Sequence, residues 1–137
     1  MATATPRGAA FFDLDRTLLA GASGEVFSHA MKAAGLVSRS IPGESLLYKV
    51  FNTVGETLPS MALARQGAAL AKGKSRAAVQ RAAEVAAPDL AALVQPLAAG
   101  LFAEHRAAGR PIVLATTTPF DLVKPLADRL KKQGVSV

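Results

Sequence analysis

The stretch Ala9-Ala10-Phe11-Phe12-Asp13-Leu14-Asp15-Arg16-Thr17-Leu18-Leu19, AAFFDLDRTLL, decides how the rest of the chain reads. Four apolar residues run straight into two carboxylates one residue apart, and a hydroxyl follows. The apolar part has no helical periodicity and reads as a buried strand opened by Gly8. At i and i+2 of an extended segment, like charges share a face and repel each other. Such a pair is kept where a cation sits between the carboxylates or where one of them carries a proton.

The second stretch of this kind comes a hundred residues later. Pro111-Ile112-Val113-Leu114-Ala115 is again a short apolar run, and it ends in Thr116-Thr117-Thr118. Pro119 fits the first position of a helix with Thr118 as its N-cap, and Phe120, Val123, Leu126, Ala127 and Leu130 form one buried face. Gly134 ends that helix, and Val135-Ser136-Val137 is a candidate third strand. In open α/β sheets ligands sit beyond the carboxyl ends of parallel strands. Adjacent strands would therefore bring Asp13, Asp15, Thr17 and Thr116 around one small ligand.

Between the two runs the spacing is helical. Ser23 is placed to cap a helix whose stripe is Val26, Phe27, Ala30, Met31 and Ala34. Leu46, Leu47, Val50, Phe51 and Val54 mark a second helix, and Leu63, Gly67 and Leu70, after Pro59, a third. Ser75 caps a fourth, with Val79, Ala82, Ala83 and Ala86, which Pro88 should end. A fifth should run from about Asp89 to Ala108, bent at Pro96 and stopped by Gly109. The outline is an α/β core, residues 1–20 and 109–137, with a helical cap at 21–108 that reads as a separate lid.

Composition narrows the function. Half of the 137 residues are apolar, which is a globular balance. The longest apolar stretch, residues 85–103, carries Asp89 and is cut by Pro88 and Pro96, which excludes a membrane span. The N-terminal apolar run is too short for a secretory signal, so a cytoplasmic location is expected. No cysteine is present, which removes disulfides, thiolate metal sites and a cysteine nucleophile. A metal would be held by oxygen, favouring Mg²⁺ over zinc. The net charge is +6, but the basic residues are scattered and no aromatics interleave with them. They read as solvated helix faces rather than a nucleic-acid surface, and they suit a small phosphorylated metabolite. His29 reads as a surface or packed residue, His105 as a solvated helix position. Lys72-Gly73-Lys74-Ser75 lacks the glycine spacing of a phosphate-cradling loop.

The apolar-run-Asp-x-Asp-x-Thr pattern resembles the first signature of the haloacid dehalogenase-like (HAD) phosphohydrolases. FFDLDRTLLAGAS is similar in particular to subfamily IB, which includes phosphoserine phosphatases. PIVLATTTP matches the second signature at Thr116, and the insert has the size and position of that subfamily's cap. The resemblance implies a partial Rossmann-like parallel sheet and a Mg²⁺-dependent phosphomonoester hydrolase acting through an aspartyl-phosphate. It implies Asp13 as nucleophile and Mg²⁺ ligand, and Asp15 as general acid/base whose main-chain carbonyl also meets the metal. Thr17 would fix the loop near the phosphate, and Thr116 would bind it. The family's third signature, a lysine, and its fourth, an acidic pair, belong downstream of the second strand and its helix, where this sequence has neither. The chain therefore resembles the N-terminal part of such a hydrolase, weak or inactive alone and open to self-association through an incomplete sheet. The alternative is a non-catalytic phosphate-binding or interaction domain. Ala22-Ser23-Gly24 stands where phosphoserine enzymes carry a glutamate, which argues against that substrate. Glu25, Ser23 and Arg65 are candidate cap-side contacts.

Overall fold

The computed structural model describes residues 8–37, 49 and 72–136. Among these residues the fold is α/β, a small parallel sheet of three strands with helices packed on it. The strands are β1 (Ala10–Asp13), β2 (Ile112–Ala115) and β3 (Val135–Ser136), in the order β1-β2-β3. Ala10 pairs with Ile112 and Asp13 with Ala115, while Ile112 pairs on its other side with Val135. The candidate third strand is thus real, with its second residue tied in further. Its Ser136 hydroxyl donates to the Ile112 carbonyl at 3.1 Å.

The described helices are α1 (Ser23–Ala33), α2 (Arg76–Ala92), α3 (Ala98–Ala107) and α4 (Phe120–Leu130). The second and third helices read from the sequence, and Arg65, lie outside the described residues. With the strand order running one way, right-handed crossovers place their helices on one face of the sheet. The burial pattern follows. Ala10, Ile112, Leu114 and Val135 are buried on that face, whereas Phe11, on the other, is 69% exposed. One apolar cluster joins the sheet to Phe27 and Ala30 of α1, Ala86 and Leu90 of α2, Phe102 of α3, and Val123, Leu126 and Leu130 of α4. The described helices of the insert share this apolar cluster with the sheet.

Several helix ends differ from expectation. α2 continues through Pro88 to Ala92. Pro88 is exposed, and the buried row Ala82, Ala83, Ala86, Ala87 and Leu90 carries on past it. That packing outweighs the one main-chain hydrogen bond a helical proline removes. The break falls instead at Leu93–Leu97, and α3 begins at Ala98. Gly109, at φ 68°, follows its end as expected. Ser75 caps α2 through a bond from the Ala78 N–H to its hydroxyl at 3.4 Å. α4 starts one residue later than read, with Pro119 at the cap and its carbonyl accepting from Leu122 and Val123. Thr118 is held in the loop because its N–H donates to the Thr116 hydroxyl. α1, by contrast, begins one residue earlier than read, at Ser23 itself, with Ala22 as N-cap.

His105 is half-buried and packed on one side rather than fully solvated. Its ring stands edge-on to Phe12 at 5.8 Å, and its Nδ1 accepts from Arg110 Nε at 2.9 Å. Phe12 in turn meets Phe102 edge-on at 5.1 Å.

Candidate active site

Asp13 is the last residue of β1, and its side chain is exposed at the carboxyl edge of the sheet. Directly after it the backbone makes one wide turn, Leu14–Leu18, closed by a bond from the Leu19 N–H to the Leu14 carbonyl at 2.9 Å. Leu14 and Leu18 are buried and anchor the turn, which leaves Asp15, Arg16 and Thr17 toward the surface. Arg16 sits at φ 58°, in the left-handed region, and its N–H donates to the Gly21 carbonyl at 3.1 Å. A wide turn of this kind folds the hydroxyl back onto the strand tip. Thr17 Oγ1 donates to Asp13 Oδ2 at 3.0 Å, which leaves Oδ1 of Asp13 uncommitted to that bond.

Asp15 leaves the strand path altogether. Its Oδ1 accepts the Ser23 N–H at 2.5 Å, so the carboxylate sits at the N-terminus of α1. There the first-turn N–H groups and the helix dipole favour a negative charge. The crowding expected of two carboxylates on one strand face is thus resolved by the turn: Asp13 is held by a hydroxyl and Asp15 by a main-chain amide. Ser23, read from the sequence as a cap, is instead the residue capped, and its own side chain is buried.

Thr116 stands on the neighbouring strand end. Because Asp13 pairs with Ala115, Thr116 is the next residue beyond Asp13's partner, at the same edge of the sheet. Its Oγ1 accepts the Thr118 N–H at 3.0 Å. A hydroxyl has two acceptor sites and one proton, so this bond leaves the O–H free to donate to a ligand. Asp13, Thr17 and Thr116 are therefore gathered at one edge, while Asp15 reaches from that edge toward α1.

Two contacts that the sequence did not point to hold this arrangement. Gln95 Nε2 donates to the Thr17 carbonyl at 2.9 Å. Arg76 donates to Asp121 through Nε and Nη2, at 2.7 and 2.9 Å, and Gln80 donates to the same carboxylate at 3.0 Å. Asp121 lies in the first turn of α4, so this fork ties α2 to the helix that follows Thr116. Neither shows as a motif, since the partners are far apart in the chain.

Comparison with known proteins supplies the family. The family model for haloacid dehalogenase-like hydrolases matches residues 10–136. The chain belongs to the haloacid dehalogenase-like hydrolase family. A curated relative from Streptomyces azureus, named "Inhibition of morphological differentiation protein", is 34% identical over 131 residues, covering 91% of this chain and 46% of its own length. The chain thus spans about half the length of the curated relative it matches, at 46%. No solved structure matches it. Among the described residues no group of three or more Asp, Glu, His or Cys side chains is placed to hold a metal ion, and no helix is long and apolar enough to cross a membrane. The Asp13 carboxylate exposed at this edge is nevertheless a hard oxygen donor. Such a donor suits Mg²⁺, which commonly takes one or two protein ligands and fills its remaining positions with water and phosphate oxygen.

Proposed function

We propose that this chain carries the nucleophile half of a Mg²⁺-dependent phosphomonoester hydrolase acting on a small phosphorylated metabolite. The observation that carries the reading is the parallel pairing of Asp13 with Ala115, which puts Asp13 and Thr116 on adjacent strand tips at the same edge of the sheet. Asp13 Oδ1 attacks phosphorus, forming an acyl-phosphate bond as the bond from phosphorus to the substrate alcohol breaks. Asp15 gives the departing oxygen its proton from Oδ2, since Oδ1 is engaged by the Ser23 N–H. In the second half Asp15 takes a proton from water, the water oxygen bonds to phosphorus, and the bond to Asp13 breaks to release phosphate. Thr116 donates its hydroxyl to a phosphoryl oxygen, and Thr17 keeps Asp13 turned outward. When bound, Mg²⁺ would be held by the Asp13 carboxylate and, as the family resemblance implies, the Asp15 main-chain carbonyl, and it would offset the repulsion between carboxylate and phosphate. The scattered positive charge favours approach of an anionic substrate.

The chain spans 46% of its curated relative's length, and slow turnover is expected of it on its own. The test is hydrolysis of p-nitrophenyl phosphate by the purified chain with and without Mg²⁺, beside Asp13→Asn. The reading expects slow, Mg²⁺-dependent turnover that the substitution abolishes. Turnover indifferent to Asp13 contradicts it. Phosphate binding with no turnover at all assigns the chain to the non-catalytic alternative.

A further inference from the structure

We propose that Gln95 is a positioning residue for Asp13, acting through Thr17 from the connection between α2 and α3. This rests on the reading of Asp13 as the attacking group, and it concerns how that group is aimed. The connection Leu93–Gln95 runs antiparallel to Leu18–Ala20. The Ala20 N–H donates to the Leu93 carbonyl at 2.8 Å, Leu19 bridges Val94, and the Gln95 N–H donates to the Leu18 carbonyl at 2.9 Å. Up to this point the contact is main chain to main chain and is indifferent to side-chain identity. Gln95 then adds a side-chain bond, Nε2 to the Thr17 carbonyl at 2.9 Å.

The consequence follows from the peptide geometry. Two successive carbonyls, Thr17 and Leu18, are each held by one end of the same residue. The Thr17–Leu18 peptide plane is thereby fixed, and with it the direction of the Thr17 side chain from its Cα. That side chain ends in the hydroxyl on Asp13 Oδ2. Such a brace suits the wide turn, because Arg16 within it occupies the left-handed region and Asp15 is extended, and its closure rests on the Leu19–Leu14 bond and the Arg16–Gly21 bond rather than on a helical ladder. The relay is Gln95 to Thr17 to Asp13, and it reaches the nucleophile from the far end of the 21–108 insert. It also explains a polar side chain in the otherwise apolar run Leu93-Val94-Gln95-Pro96-Leu97.

The test reads Asp13 directly and does not depend on turnover. In protein labelled with ¹³C at the aspartate carboxyl carbons, Asp13→Asn assigns the Asp13 resonance. Gln95→Met keeps the length of the side chain and removes both N–H donors, and Gln95→Glu does the same with an acceptor facing the Thr17 carbonyl. The expected result is that both variants melt cooperatively yet move the Asp13 resonance in the direction that Thr17→Val moves it. Combining Gln95→Met with Thr17→Val should add nothing to Thr17→Val alone, as for two residues acting on one atom. Gln80→Met, which removes a bond to Asp121 instead, should leave the resonance in place. An Asp13 resonance unmoved by both Gln95 variants, or additive shifts in the double variant, overturns the proposal. Failure of the nucleophile reading shows elsewhere, as turnover that survives Asp13→Asn while the Gln95 relay is still seen in the spectrum.

Discussion

Arg16 carries the turn's local cost. It is the non-glycine residue with positive φ among the described residues, and it is exposed, so nothing but backbone geometry resists a change there. A side chain in the left-handed region costs about 1–2 kcal/mol, part of which glycine recovers and part of which it returns as unfolded-state entropy. Arg16→Gly should therefore raise stability by an amount on the order of 0.5 kcal/mol, and Arg16→Val should lower it by roughly 1–2 kcal/mol, read from urea midpoints. At the chemistry itself, Asp15→Asn should reduce turnover by roughly 10²–10⁴-fold, the range a positioned acid/base contributes, with the substrate still bound. The strand end at Asp13, with Asp15 and Thr17 just beyond it, was legible in the sequence because all three fall within one short stretch whose apolar flank fixes a strand. Gln95 was not, because its partner is a main-chain carbonyl 78 residues away. The Asp15 contact with α1 was half legible: the sequence marked Ser23 as an N-terminal residue of a helix, but a carboxylate from outside the helix supplies the cap.

Among the elements, α2 and α4 are joined by the fork of Arg76 and Gln80 on Asp121. The hydrogen bond from Arg76, then that from Gln80, holds the Asp121 carboxyl below its ordinary value of 3.8. A carboxyl lowered by folding contributes stability above its unfolded value, and that contribution disappears as pH falls through the folded one. The chain should thus lose part of its α2–α4 docking below the ordinary carboxylate range, and Asp121→Asn should remove that part of the acid dependence while lowering stability at neutral pH. Thermal melts as a function of pH check it. Buried packing governs the rest. Phe102 is fully buried against Phe12, and Phe102→Ala should cost about 3–5 kcal/mol, a large share of a small domain's stability. The helix-end errors have a common origin. Pro88 and Pro119 were read by local rules, whereas an unbroken row of buried alanines carries α2 past the first and a threonine hydroxyl sets the start of α4 at the second.

At the scale of the molecule, the strand-helix-strand order and the shared edge of Asp13 and Thr116 were readable from two apolar runs that each end in polar residues. The packing of the insert's helices on the sheet was not, since their small apolar faces suit a lid and a core equally well. The face of the sheet bearing Phe11 remains bare among the described residues, and an open strand surface of that kind recruits partners. Self-association of the chain is the expected result, weakened by Phe11→Ser and followed by sedimentation velocity across a concentration series. The account as a whole stands on Asp13 as the group that bonds to phosphorus. Borohydride added during turnover of a phosphomonoester, followed by peptide mass spectrometry, tests this most directly. Conversion of Asp13 to homoserine, dependent on substrate and Mg²⁺, is the predicted result; phosphate released while Asp13 stays unmodified would contradict it.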